Sequence, residues 1–326
     1  MNSRLVTAAA SLGAIIVLCS FAGSAIAASQ TGELRRQYYF ANTGENIPYR
    51  LYVPSSYDGT KPFPLVVVLH GSSTTADDVI RAPGLERIAE QKKTILLAPQ
   101  GYNAFGSYGD IYPVVVTREA ASQVDALLAA SRPGSNAPKG MTRPKSDQPP
   151  AAADDATDVP VNGLTDPLVS RLSEKDTMNV LDMVRHEYNI DPDRIYLMGN
   201  SMGAMGASYL AARYPDIWAA VSPSGGPFAA WSYPYFRLRE GHIAALFVHG
   251  DKDQHANWRW SQVIVERAQK EGVDAKLLVV KGGNHVDAWT KALPEIFDFF
   301  LSHRKSERPN GQPRSDIPVA NTAQEH

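Results

Sequence analysis

Residues 194–213 read RIYLMGNSMGAMGASYLAAR, and this stretch decides the fold. Residues 194–198 alternate and end apolar, as a buried strand does, and 202–213 have the spacing of a helix. Between them lies Gly199-Asn200-Ser201-Met202-Gly203. A strand that turns at once into a helix forces its central residue into a strained backbone conformation. Glycines on both sides leave room for that turn, and the serine hydroxyl is presented at a helix N-terminus. The pattern is weak by itself. Flanked by a buried strand and a helix, it marks Ser201 as a nucleophile.

Working outward, strand and helix alternate. Residues 63–70, FPLVVVLH, form an unbroken apolar run ending at Gly71, which reads as a strand buried on both faces. Further strands are expected at 94–98, 219–222, 243–249 and 275–280. Helices are expected at 76–92 (broken near Pro83-Gly84), 177–188, 260–271 and 287–302. Residues 36–41 and 48–53 read as a hairpin around Asn42-Thr43-Gly44. The alternation predicts an α/β domain, a mostly parallel central sheet with helices on both faces. In such sheets ligands sit beyond the carboxyl ends of the strands, so the residues just after each strand carry the function.

A nucleophilic serine needs a base, and the base needs an acid to orient it. The run IAALFVHG ends in Gly250-Asp251-Lys252-Asp253, and either aspartate could serve as the acid. Asp253 is preferred, with Asp251 as a turn residue. The run AKLLVVKGG ends in Asn284-His285, and His285 is the expected base. His70 and His249 stand at other strand ends, where loop structure is the plainer role; His242 and His255 read as solvated. The backbone N–H groups of Met202 and Ser72 are the expected oxyanion donors. Glu174 and Asp176 read as caps near a helix start.

The bulk properties narrow the class. Thirty-two basic residues face 34 acidic ones, a formal charge of −2, which gives no reason to expect a nucleic-acid partner. Arg4, an apolar run over 12–21 and Ala25-Ile26-Ala27 describe a signal peptide over 1–27, hence a secreted or periplasmic protein without stable membrane insertion. Cleavage there would remove Cys19, the single cysteine, so the mature fold rests on its core. The catalytic domain is expected over 28–304. Residues 132–160 hold six prolines and read as a surface insertion, with a flap near the site as the alternative; 305–326 read as a disordered tail. No metal-binding or dinucleotide-binding motif is present, and no cofactor or metal is expected.

LHGSS (69–73), GNSMG (199–203), VHGDKDQ (248–254) and GGNHVDAW (282–289) together resemble the secreted esterase branch of the α/β-hydrolases, which includes feruloyl and acetyl xylan esterases and polyhydroxybutyrate-depolymerase-like enzymes. The similarity runs from about residue 38 to about 303, with 132–160 as a departure. It implies the α/β-hydrolase fold, and it places the acid at Asp253, the last position of the family's H-G-x-x-D pattern, with Ser201 and His285 matching the family's serine and histidine. Ala204 stands where many relatives have a further glycine. The implied activity is cleavage of carboxylic esters through an acyl-enzyme, on a small-molecule or polymer-borne substrate. A serine peptidase of prolyl-oligopeptidase type, a polyhydroxyalkanoate depolymerase and a non-catalytic binding protein are the alternatives. Aromatic residues placed after strands, Tyr102, Trp231 and Trp289, are the expected substrate contacts, suited to a flat aromatic or sugar-bearing group.

Overall fold

A computed structural model describes residues 30–109, 167–226, 230 and 233–305. The expected signal peptide, the 132–160 insertion, Trp231 and nearly all of the 305–326 tail lie outside the described residues. Among the described residues, eight strands form one sheet: β1 (Gly32–Phe40), β2 (Glu45–Val53), β3 (Phe63–Leu69), β4 (Ile95–Pro99), β5 (Ile190–Asn200), β6 (Ala220–Ser224), β7 (Ala244–Gly250) and β8 (Ala275–Val280). Their order across the sheet is β1-β2-β4-β3-β5-β6-β7-β8. The β1–β2 hairpin lies antiparallel on one edge, and every pairing from β4 to β8 is parallel.

The helices are α1 (Ala76–Ile80), α2 (Leu85–Lys92), α3 (Pro167–Glu187), α4 (Met202–Arg213), α5 (Tyr235–Glu240), α6 (Trp258–Lys270), α7 (Ala288–Lys291) and α8 (Leu293–Leu301). They cover both faces. Along β3, Leu65, Val67 and Leu69 pack with side chains of α3, α4, α5 and α6. Val66 and Val68 point the other way and pack with α1, α2 and α8. A strand covered on both sides has no polar face, which is why its sequence does not alternate.

The order of the strands places the site. From β3 the chain goes to β4 on one side, then returns to β5 on the other. β3 and β5 therefore flank the point where the strand order reverses, the place beyond whose carboxyl ends such sheets bind their ligands. Leu69 pairs with Gly199, so the loop after β3 and the turn after β5 leave the sheet side by side.

Several boundaries differ from expectation. α3 begins ten residues before the expected start at residue 177 and runs to Glu187. Asp191-Pro192 does not separate helix from strand, because β5 already starts at Ile190. The proline is tolerated because the β3–β5 register shifts between Phe63 and Leu65, so no regular ladder bond is required of it. The last helix divides at Ala292, ahead of Pro294 in the first turn of α8. α5 was not expected; its sequence, YFRLRE, is too short and too aromatic for a helical period to show.

Glu174 and Asp176 are not caps. Both lie inside α3, whose early turns were not legible. Glu174 accepts hydrogen bonds from the Tyr209 hydroxyl (2.8 Å) and the Tyr214 hydroxyl (2.6 Å). Asp176 is fully buried and ties the hairpin to the loop after β4: it accepts from the Tyr38 hydroxyl at 2.8 Å and from the Tyr102 amide at 3.2 Å. Burial pushes its carboxyl up to about 6, against the pull of those hydrogen bonds. The folded protein thus holds this proton more tightly than the unfolded chain, whose aspartate titrates near 3.8. Stability therefore falls as pH rises between those values, by about 2–3 kcal/mol. Denaturant unfolding at a series of pH values from 4 to 7 is expected to show Asp176→Asn gaining on the wild type as pH rises. Asp176→Ala, which strands buried donors, should be less stable than the asparagine variant throughout, by about 1–3 kcal/mol.

Candidate active site

Ser201 occupies the turn between β5 and α4 with φ 58° and ψ −119°, a left-handed conformation that a serine enters only under constraint. The neighbouring glycines make it possible. A Cβ on Gly199 would lie 2.4 Å from the Gly203 carbonyl oxygen, and a Cβ on Gly203 would lie 2.3 Å from that of Leu69. Strand, turn and helix are thus pressed against the end of β3. The Ser201 amide donates to the Ser224 carbonyl at 2.9 Å, which fixes the turn to β6 as well.

The acid and base come from the next two strand ends. Asp253 follows β7, and its carboxylate is buried. Its Oδ1 accepts from the amides of His255 (2.8 Å) and Ala256 (2.9 Å), and its Oδ2 accepts from His285 Nδ1 at 2.8 Å. Burial alone would raise the carboxyl. The hydrogen bonds from His249, His285 and the Ala256 amide outweigh it and hold the group well below the usual carboxylate range. Asp251 does something else: it accepts the Gly282 amide at 2.6 Å, pinning the loop after β8. Of the two aspartates, Asp253, the one preferred from the sequence, is the one that lies against His285.

His285 stands at the tip of a self-locked turn. Asn284 Oδ1 accepts the amides of Val286 (2.8 Å) and Asp287 (3.0 Å), and Asp287 Oδ1 accepts the Asn284 amide at 2.8 Å. With Nδ1 committed to Asp253, the free ring nitrogen is Nε2. The three strand ends meet at Gly225, whose φ is +62°. A Cβ there would lie 3.2 Å from Asn200 Oδ1, 3.3 Å from Asp253 Oδ2 and 3.4 Å from His285 Nδ1. The residue preceding Ser201, the acid and the base therefore share one glycine-sized space.

The loop after β3 borders the same turn. A Cβ on Gly71 would lie 3.7 Å from Ser201 Cβ. His70 is buried, with ring nitrogens 2.8 Å from the Gly71 and Gln100 carbonyls, and burial lowers its affinity for a proton, so it serves the loop as expected. Ser72 lies in this loop and Met202 in the first turn of α4, the places that the two expected oxyanion donors require.

The expected aromatic contacts fare differently. The Tyr102 ring packs against Phe40, with centroids 6.2 Å apart, at the hairpin edge of the sheet. Trp289 is largely buried and packs in the core cluster with Leu293, Ile296 and Phe297. Its position, four residues after His285, misled because α7 turns the indole inward. Two further histidines lie near the Asp253–His285 pair, and His255 is exposed as expected. His249 Nε2 lies 3.2 Å from Asp253 Oδ2, and the exposed His255 ring lies 4.7 Å from that of His285. The four-residue spacing from His249 to Asp253 was the available signal.

Comparison with known proteins points to esterases. Residues 174–307 match the model of the Esterase family, and this segment contains Ser201, Asp253 and His285. A poly(3-hydroxyalkanoate) depolymerase C of Paucimonas lemoignei is 40% identical over 50 residues, 15% of this chain and 12% of that protein. A feruloyl esterase B of Talaromyces stipitatus is 38% identical over 61 residues, 18% of this chain and 17% of that protein. The chain thus spans only a small part of the length of these curated relatives. An S-formylglutathione hydrolase of Agrobacterium tumefaciens superposes with a TM-score of 0.55 at 14% identity, covering 84% of this chain and 96% of that one.

Gly225→Ala should lower the rate of nitrophenyl acetate hydrolysis by at least about 10-fold through displacement of the acid–base pair. The left-handed backbone should also cost about 1–2 kcal/mol in thermal unfolding. The chain has the α/β-hydrolase fold, and the segment that carries its serine, aspartate and histidine matches the Esterase family.

Proposed function

We propose that this protein is an exported serine esterase that cleaves carboxylic esters through an acyl-enzyme. The observation that carries the reading is the 2.8 Å bond from His285 Nδ1 to the buried Asp253 carboxylate, one glycine away from the strained Ser201 turn. Export rests on the pattern of residues 1–27. No helix among the described residues is long and apolar enough to cross a membrane.

The geometry supports a two-step reaction in this reading. His285 Nε2 takes the Ser201 hydroxyl proton as Oγ attacks the ester carbonyl carbon. Negative charge then develops on the carbonyl oxygen, where the Met202 and Ser72 amides donate to it. The intermediate collapses, the C–O bond to the alcohol breaks, and His285 returns the proton to the departing alkoxide. Water, deprotonated by His285, then attacks the acyl-serine, releasing the carboxylic acid and restoring Ser201. Asp253 stays ionised throughout; it holds the imidazole tautomer and stabilises the imidazolium.

The relatives' names direct the substrate search toward feruloyl esters and poly(3-hydroxyalkanoates). A panel of nitrophenyl acetate and butyrate, methyl ferulate, acetylated xylan, short polyhydroxybutyrate and an aminoacyl nitroanilide, run with wild type and Ser201→Ala, tests the reading. Ester turnover should fall by about 10⁴-fold or more in the variant. Ester turnover unaffected by the substitution, or anilide turnover above that of every ester, contradicts the proposal. On acidification kcat/KM should fall, because His285 must be neutral to accept the serine proton. Asp253 adds no second limb there, since its carboxyl is held below the usual range. A rate unchanged between pH 5 and 8 would remove His285 as the base.

A further inference from the structure

His249 is the penultimate residue of β7 and is fully buried. The sequence offers it only as a strand-end histidine. Its surroundings are more specific than that role needs. Nδ1 lies 2.9 Å from the hydroxyl of Ser261, in the first turn of α6. Nε2 lies 3.0 Å from the Ala256 carbonyl oxygen and 3.2 Å from Asp253 Oδ2.

These contacts fix the tautomer. A carbonyl and an ionised carboxylate can only accept, so the proton facing them sits on Nε2. Nδ1 is then the acceptor, and the Ser261 hydroxyl donates to it. Both nitrogens then have partners. Asp253 Oδ2 therefore has two imidazole nitrogens against it, His285 Nδ1 in a 2.8 Å hydrogen bond and His249 Nε2 at 3.2 Å, the latter's hydrogen shared with the Ala256 carbonyl, while Oδ1 receives two amides.

We infer that His249 is a positioning residue for the acid, which holds the Asp253 carboxylate from behind through a Ser261–His249–Asp253–His285 chain of hydrogen bonds. This rests on the esterase reading for its consequence in catalysis, while the placement of His249 between Ser261 and Asp253 rests on the distances alone. During turnover His285 alternates between imidazole and imidazolium and moves a proton at Nε2. A carboxylate anchored only by His285 on this oxygen could follow that ring. Anchored also by a donor that does no proton transfer, it keeps its place and shares its charge between two partners.

Loss of His249 therefore has two effects. The carboxylate loses a constraint, and its charge falls more fully on His285, which favours the protonated ring. The titratable groups facing His285 are Asp253 and the exposed His255 ring, 4.7 Å away. In the same turn, Asp287 is engaged by the Asn284 amide and Lys291. His255, Asp287 and Lys291 are unchanged in a His249 variant, so they act alike on both proteins.

The test is nitrogen-15 and proton NMR of the histidine rings in the whole protein, with kinetics beside it. In the wild type, His249 should show the tautomer protonated on Nε2; a ring protonated on Nδ1 instead could not donate to Asp253 and overturns the inference without any variant. In His249→Phe, the His285 titration midpoint and the acidic limb of kcat/KM should move together to higher pH by about half a unit or more. The kcat per active site, counted by burst titration, should fall about 10-fold with KM within about twofold. His249→Gln, whose amide can donate from the Nε2 position, should restore most of both. A residue that only fills the core would lower the count of active sites and leave the midpoint in place, and that result overturns the proposal. If turnover proves independent of Ser201, the esterase reading fails, while the two NMR measurements still decide whether His249 holds Asp253.

Discussion

Everything in the site depends on one tight contact: the turn carrying Ser201 is packed against the end of β3 with no room for a side chain at Gly199 or Gly203. That packing sustains the left-handed backbone of Ser201. It also brings the loop after β3 beside the start of α4, so that amides from two segments can face one oxygen. The Ser201 turn and the loop after β3 are thereby placed by a single constraint, the approach of two buried parallel strands at the point where the strand order reverses.

The acid and base are held by different means. Neither depends on strain; both rely on satisfied hydrogen bonds. Asp253 is embedded in four donors, and His285 sits on a turn closed by reciprocal Asn284–Asp287 bonds. Gly225 allows the two groups to lie against the residue before Ser201. A rigid sheet thus aims three loops, and each loop is locked by its own side chains, which is how a catalytic geometry survives on surface segments.

Much of this was legible in the sequence because parallel sheets leave a strong trace. The run PLVVVLH can only be a strand covered on both faces, and GNSMG between strand and helix has a geometric reason for its glycines. The order serine, aspartate, histidine, each after a strand, was equally readable. What was not readable depended on tertiary direction. Trp289 follows the base, yet α7 turns it into the core, and no local pattern reports which way a short helix faces. Asp176 looked like a cap because the polar first half of α3 hides its period. His249 looked inert because its partner, Asp253, comes within reach only when the chain folds back after β7.

The central claim is that the elbow serine is the activated nucleophile of this chain. Intact-mass measurement and peptide mapping after reaction with a fluorophosphonate test it most directly, since Oγ displaces fluoride only where a base has been positioned to take its proton. The account predicts one adduct per molecule, on Ser201, abolished in His285→Ala and strongly slowed in Asp253→Asn. An adduct on another residue, or none on a protein that is folded by circular dichroism, would contradict it.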